Sequence, residues 1–127
     1  MHGYALNCTR RVFLATELGI ANGFFTRLRG LLTTSGQEFG FGRGLWITPS
    51  QGVHALGMRY PIDALYLDGE MRVIHIEDGL RPWRLGAVRR RAASVLELPA
   101  GAVRKTRTAV GDTLRIACGP CLSPVAR

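Results

Sequence analysis

Apolar and polar positions change their period along this chain, and those changes predict its elements. Thr9 to Thr16 (T-R-R-V-F-L-A-T) mixes β-branched and apolar residues and predicts a first strand. From Ile20 the spacing turns helical: Ile20, Phe24, Arg27, Leu28 and Leu31 fall on one face. Asn22 is placed to cap that helix, and Gly30 or Gly36 to end it. Gly36 to Gly44 reads as loop. Short strand-like runs follow at Gly44–Ile47 and Val53–Met58, on either side of a turn at Pro49–Gly52. Further strands are expected at Ser94–Leu98 and Thr113–Cys118, with a helical turn within Ala100–Gly111.

Asp68-Gly69, set between Ala64–Leu67 and Met71–Ile76, predicts a two-residue type I′ hairpin. That loop would pair Leu67 with Glu70, Leu65 with Arg72 and Asp63 with Ile74. Asp63 then shares a face with Leu65, Leu67, Ile74 and Ile76. The other face carries Ile62, Ala64, Tyr66, Met71, Val73 and His75. Both faces are largely apolar, so the hairpin is expected to be covered on both sides. One amphipathic helix among several short strands gives an α+β class: a β-rich, strongly bent or barrel-like antiparallel sheet with one main helix.

Composition sharpens this picture. A chain of 127 residues suits a single domain over 1–127, and 46% hydrophobic with 20% charged residues excludes a disordered chain. No apolar run approaches the ~20 residues of a membrane-spanning helix, and the first ten residues lack an export signal. A cytoplasmic domain, monomeric or weakly associating, is the expectation. The net charge is +8, and its excess is concentrated. Arg81, Arg84, Arg89, Arg90, Arg91, Arg104, Lys105 and Arg107 face only Glu97 within that stretch. This basic rim over 81–107 suits an acidic partner. Nucleic acid fits less well, since no aromatic interleaves Arg89-Arg90-Arg91 and no recognition motif has the right spacing.

Other chemistry is mostly excluded. Cys118-Gly119-Pro120-Cys121 has the four-residue form of a dithiol redox site, but Pro124 and the end at Arg127 leave no helix to lower a thiol pKa. A zinc site from Cys118, Cys121, Cys8 and His2 would need both termini to meet. No nucleophile elbow, phosphate loop or dinucleotide fingerprint is present. No metal and no cofactor is therefore expected, and no catalytic residue is assigned.

What stands out is ionisable residues in apolar settings. His54 shares a strand face with Leu56 and Met58, Asp63 with Leu65, Glu97 with Val95, and Arg27 borders the helix stripe. A buried carboxylate must find a cation or backbone donors. Convergence of Arg27, Trp46, His54, Met58, Asp63 and Glu97 would build a cleft with apolar walls for a small polar or anionic ligand, or a peptide end. Arg27 would supply a fork for a carboxylate. Two alternatives stay open: a hydrolase-like enzyme using His54 and Asp63 as a pair, and an accessory protein docking an acidic partner through the basic rim. Structural roles also stay open, with Asp63 accepting backbone N–H bonds and Arg27–Glu97 forming an ion pair.

Several strings together resemble the family called Domain of Unknown Function 192. They are Thr26–Leu32, Gly44–Ile47, Val53–Asp68, the Leu96-Glu97-Leu98-Pro99-Ala100-Gly101 run and Gly111–Leu114, in that order, over about 8–117. Residues 118–127 fall outside as a tail. The resemblance implies a small β-rich domain without an established activity. It places motif positions on Arg27, Gly30, Leu31, His54, Met58, Asp63, Glu97, Gly101 and Asp112. Gly57 stands where many relatives carry an aromatic, which would open any pocket there.

Overall fold

Alternation of β-branched, aromatic and aliphatic residues builds most of the chain into strands. The structure, a computed structural model, describes residues 3–21, 40–52, 60–81 and 86–117. In chain order the elements are β1 (Tyr4–Asn7), β2 (Val12–Ala21), β3 (Gly42–Ile47), β4 (Ile62–Leu67), β5 (Val73–Leu80), β6 (Ser94–Pro99), α1 (Ala102–Thr106) and β7 (Leu114–Ala117). The seven strands form one sheet in the order β5-β4-β6-β3-β2-β1-β7. The sheet is antiparallel as expected, except that β2 and β3 run parallel. Twenty residues separate Ala21 from Gly42, enough for the crossover that a parallel pair requires.

The sheet curls until its outer strands meet at one end. The Val73 N–H donates to the Asp112 carbonyl (2.8 Å), Gly111 N–H to Val73 (2.8 Å) and Leu114 N–H to Met71 (2.9 Å). All seven strands and α1 feed the inner cluster, which includes Ala5, Leu14, Trp46, Leu65, Val73, Leu96 and Leu114. The opposite face of β3, β4, β5 and β6 carries a second cluster of Ile62, Ala64, Tyr66, Ala92 and Val95, with Leu45, Tyr60, Ile74 and Leu80 against it. Both β4 and β6 are buried along their whole length, as two covered faces require.

Three expectations are corrected. Ile20 does not open a helix: it lies in β2, opposite Trp46, because pairing with β3 extends the strand through Ala21. The remainder of that predicted helix, and the Val53–Met58 strand, lie outside the described residues. The hairpin is not the two-residue type. Leu67 pairs with Val73 and Leu65 with Ile76, across a connection of residues 68–72. Asp68 makes this connection, its Oδ1 accepting the N–H groups of Glu70 and Arg72 (both 2.9 Å). Met71 adopts φ 63° and turns its side chain into the inner core, where Met71 and Val73 also bond to residues 111–114. The resulting bulge also places Val73 inside and Ile74 outside, the reverse of the expected faces. The first strand was expected at Thr9–Thr16; Tyr4–Asn7 forms an earlier one, and residues 8–11 are the turn into β2.

Candidate functional site

Asp63 sits on β4 at the inner face and is fully buried. Its Oδ1 accepts the Gly79 N–H (2.8 Å), and its Oδ2 accepts those of Gly101 (3.1 Å) and Val103 (2.9 Å). One carboxylate thus holds the end of β5 and the N-terminus of α1, whose own cap residue Gly101 supplies no side chain. Burial pushes the Asp63 carboxyl above its usual range, and the bonds from Val103, Gly79 and Gly101 pull against that rise. The sequence expectation of a cation or backbone donors is met by the backbone. Both oxygens are given to main-chain amides.

Glu97 lies on the opposite face. It pairs with Leu45 on one side and Ala64 on the other, in the middle of the sheet, and is fully buried. Ala64 also pairs with Glu77, so the small alanine separates two carboxylate-bearing positions of one face. Next along that face Tyr66 pairs with His75, their rings edge to face at 4.9 Å. His75 Nε2 meets Glu77 Oε2 at 3.1 Å, and Glu77 Oε2 also accepts the Ala87 N–H (2.9 Å). The Tyr66 hydroxyl donates to the Ala87 carbonyl. Burial works against ionisation of Glu77, but the Ala87 and His75 contacts and the Arg89 charge hold its carboxyl below the usual range. Tyr66 is pushed up to about 12 by burial and by Glu77, with Arg89 opposing and Glu97 adding to the rise. The His75 and Glu77 side chains are each about a quarter exposed (24% and 25%), so the cluster opens to solvent beside β5.

The described members of the sequence-predicted site therefore divide between two faces. Trp46 and Asp63 belong to the inner face, and Glu97 to the outer one. The Trp46 Nε1 is buried and has no hydrogen-bond partner among the described residues, and the same holds for Ser94 Oγ. Arg27, His54 and Met58 lie outside the described residues. The structure adds Tyr66, His75 and Glu77, which sequence reasoning did not place in the site. The His-x-Glu spacing on a strand, which puts both on one face, was the available signal.

The basic rim divides too. Arg89, Arg90 and Arg91 precede β6, where the Gln51 side chain donates to the Arg90 carbonyl (2.9 Å), whereas Arg104, Lys105 and Arg107 follow it in and after α1. The six residues of β6, roughly 20 Å of strand, lie between the two groups. Of the cysteines weighed as metal or redox ligands, Cys8 is exposed, and Cys118 and Cys121, like His2, lie outside the described residues. No described helix is long and apolar enough to cross a membrane.

Asp112 has a structural task. Its Oδ2 accepts from Asn7 Nδ2 (2.9 Å), Arg10 Nε (3.1 Å) and the Ala109 N–H (3.0 Å), tying the β1–β2 turn to the approach of β7. Burial opposes its charge, yet these donors outweigh that effect and hold the carboxyl low.

Two strings of the resemblance meet directly in the Asp63–Gly101 hydrogen bond. Comparison with known proteins agrees with them. The UPF0127 protein of Pyrococcus furiosus is 30% identical over 110 residues, covering 86% of this chain and 94% of its own. A UPF0127 protein of Thermococcus sibiricus is 27% identical over 114 residues, covering 86% and 71%. Among solved structures, a putative transcription regulator from Sinorhizobium meliloti superposes with a TM-score of 0.71 at 20% identity, over 88% of this chain and 89% of that one. A protein of unknown function from Novosphingobium aromaticivorans gives 0.72 at 16% identity, over 88% and 81%. At these identities the superpositions carry the fold alone. The family model described as uncharacterized ACR matches residues 6–116, and the chain belongs to that family, DUF192.

Proposed function

We propose that the domain is a binding module for a small polar ligand, seated on the outer sheet face around Glu97, Glu77 and Tyr66. The observation that carries this reading is the placement of Glu97. Its strand is buried from end to end, and both cross-strand neighbours, Leu45 and Ala64, are apolar. The fold itself calls for an apolar residue there, and a carboxylate taken out of water costs several kcal/mol before its contacts repay it. Departures from local folding rules concentrate at functional sites. Around Glu97 the face offers the mixture that small-ligand sites share: apolar walls and a few polar groups.

Charge narrows the ligand class. Glu97 and Glu77 suit a hydrogen-bond-donating or cationic end. Arg89, whose charge acts on both Tyr66 and Glu77, suits an anionic end. A ligand with both ends, such as an amino acid or a peptide end, fits best. A thermal-shift panel of amino acids, dipeptides, simple amines, carboxylic acids and sugars tests this, since a ligand that binds only the folded state raises the melting temperature. Zwitterionic compounds should stabilise the protein, and Glu97→Gln should remove that stabilisation while remaining folded. No stabilisation by any of these classes, or equal stabilisation of Glu97→Gln, would overturn the reading.

A further inference from the structure

A groove of about 210 Å³ lies between β2 and α1, lined by residues that the proposed ligand face does not use. Its floor is aliphatic, from Val12, Leu14 and Ala102. Among the described residues four large apolar side chains stand exposed, and two of them, Phe13 (53%) and Phe41 (57%), line this groove. Apolar groups clustered in the open in this way mark interaction surfaces, whereas single ones need no explanation. The groove is also cationic. Lys105 Nζ, in its lining, lies 4.4 Å from the centroid of the Phe41 ring. The same short helix has no acidic residue in its first turn and carries Arg104 outside the lining, largely exposed while its Nε meets Asp78 Oδ2 at 3.5 Å.

We propose that this groove docks a segment of an acidic partner protein, which inserts an aliphatic side chain between Phe13 and Phe41 while its carboxylates meet Lys105 and Arg104. The floor takes a branched aliphatic group, and the surrounding charge selects an acidic neighbour in sequence, on a chain whose net charge is +8. A nucleic acid fits less well, because bases need open aromatic faces and Lys105 already occupies a face of Phe41. This localises the basic rim read from the sequence to the α1 end, not the Arg89–Arg91 end.

Fluorescence anisotropy with labelled synthetic peptides tests the proposal. A peptide of alternating Glu and Leu is expected to bind, and peptides of Glu and Ala or of Lys and Leu to bind at least tenfold more weakly. Lys105→Glu and Phe41→Ala should each weaken the Glu–Leu peptide about tenfold, the loss of one interface anchor. Val88→Ala and Arg91→Glu should leave it unchanged. Lys105 and Phe41 are exposed, so both variants should keep the parental melting temperature. Equal binding of the Glu–Ala peptide would show charge alone at work and overturn the proposal. So would loss of binding in Arg91→Glu instead of Lys105→Glu, or displacement of the peptide by a single-stranded oligonucleotide.

Discussion

Removing the Asp63 carboxylate should loosen two distant parts of the fold at once. In Asp63→Ala the N–H groups of Gly79, Gly101 and Val103 lose their acceptor. Each buried amide left unpaired costs about 1–3 kcal/mol, and water entering the truncated site recovers part of that, so a net loss of about 3–5 kcal/mol is expected. That is a large share of the ~5–15 kcal/mol that keeps a domain folded. For a chain of this length it corresponds to a fall in melting temperature of roughly 11–19 °C. Urea unfolding followed by circular dichroism gives the loss directly, with an unchanged m-value showing that the transition itself is intact. Asp63→Asn should lose less, because one oxygen remains to accept while the amide end faces a donor. Hydrogen exchange adds a local readout: the Gly79, Gly101 and Val103 amides should speed up together. The sign of the pH dependence is also fixed. Burial raises the Asp63 pKa, so the folded protein holds the proton more tightly and this group's contribution falls as pH rises from about 4 through the folded pKa. That downward component should vanish in Asp63→Asn. A loss below about 1 kcal/mol in Asp63→Ala, with the three amides unchanged, would refute the reasoning.

Asp112 behaves in the opposite sense: its lowered pKa gives stability that is present above about 4 and lost as pH falls through the folded value. Asp112→Asn should cost about 1–2 kcal/mol at neutral pH and make acid unfolding shallower, which denaturation at a series of pH values measures. Gly101 holds φ +95°, and an added Cβ would meet only the Phe41 ring at 3.6 Å, an ordinary contact. Gly101→Ala should therefore cost about 1–2 kcal/mol through the backbone alone, read by thermal melting. Ultraviolet titration should find one tyrosine ionising at about 12, and that step should disappear in Tyr66→Phe.

How much of this was legible in the sequence depended on how local the cause was. The strands at Gly44–Ile47 and Ser94–Leu98 and the helical turn after Ala100 follow from runs of a few residues, and all three are present with ends moved by a residue or two. The hairpin failed because Asp68-Gly69 carries two turn codes. The dipeptide favours a two-residue loop, but the Asp68 side chain accepts from Glu70 and Arg72, and the 111–114 segment captures residues 71–73. The second of those effects lies some forty residues away and has no local trace. Ile20 fits a helical stripe as well as a strand; only its pairing with Trp46 decides. The carboxylates show the same division. That Asp63 and Glu97 needed partners was readable from their apolar neighbours, and so were their strand faces. The donors to Asp63, 16, 38 and 40 residues away, were not. Nor was the sheet order and register, which set Asp63 and Glu97 on opposite faces and bring Glu77 and His75 to Glu97's face, across β4 from it.

The claim that a ligand binds the outer face is met most directly by an amide chemical-shift map recorded with and without a mixture of free amino acids. Perturbations are expected to be confined to Ala64, Tyr66, His75, Glu77, Ala87 and Glu97, and to be absent in Glu97→Gln. A map that stays unchanged, or one whose shifts gather between β2 and α1, would contradict it.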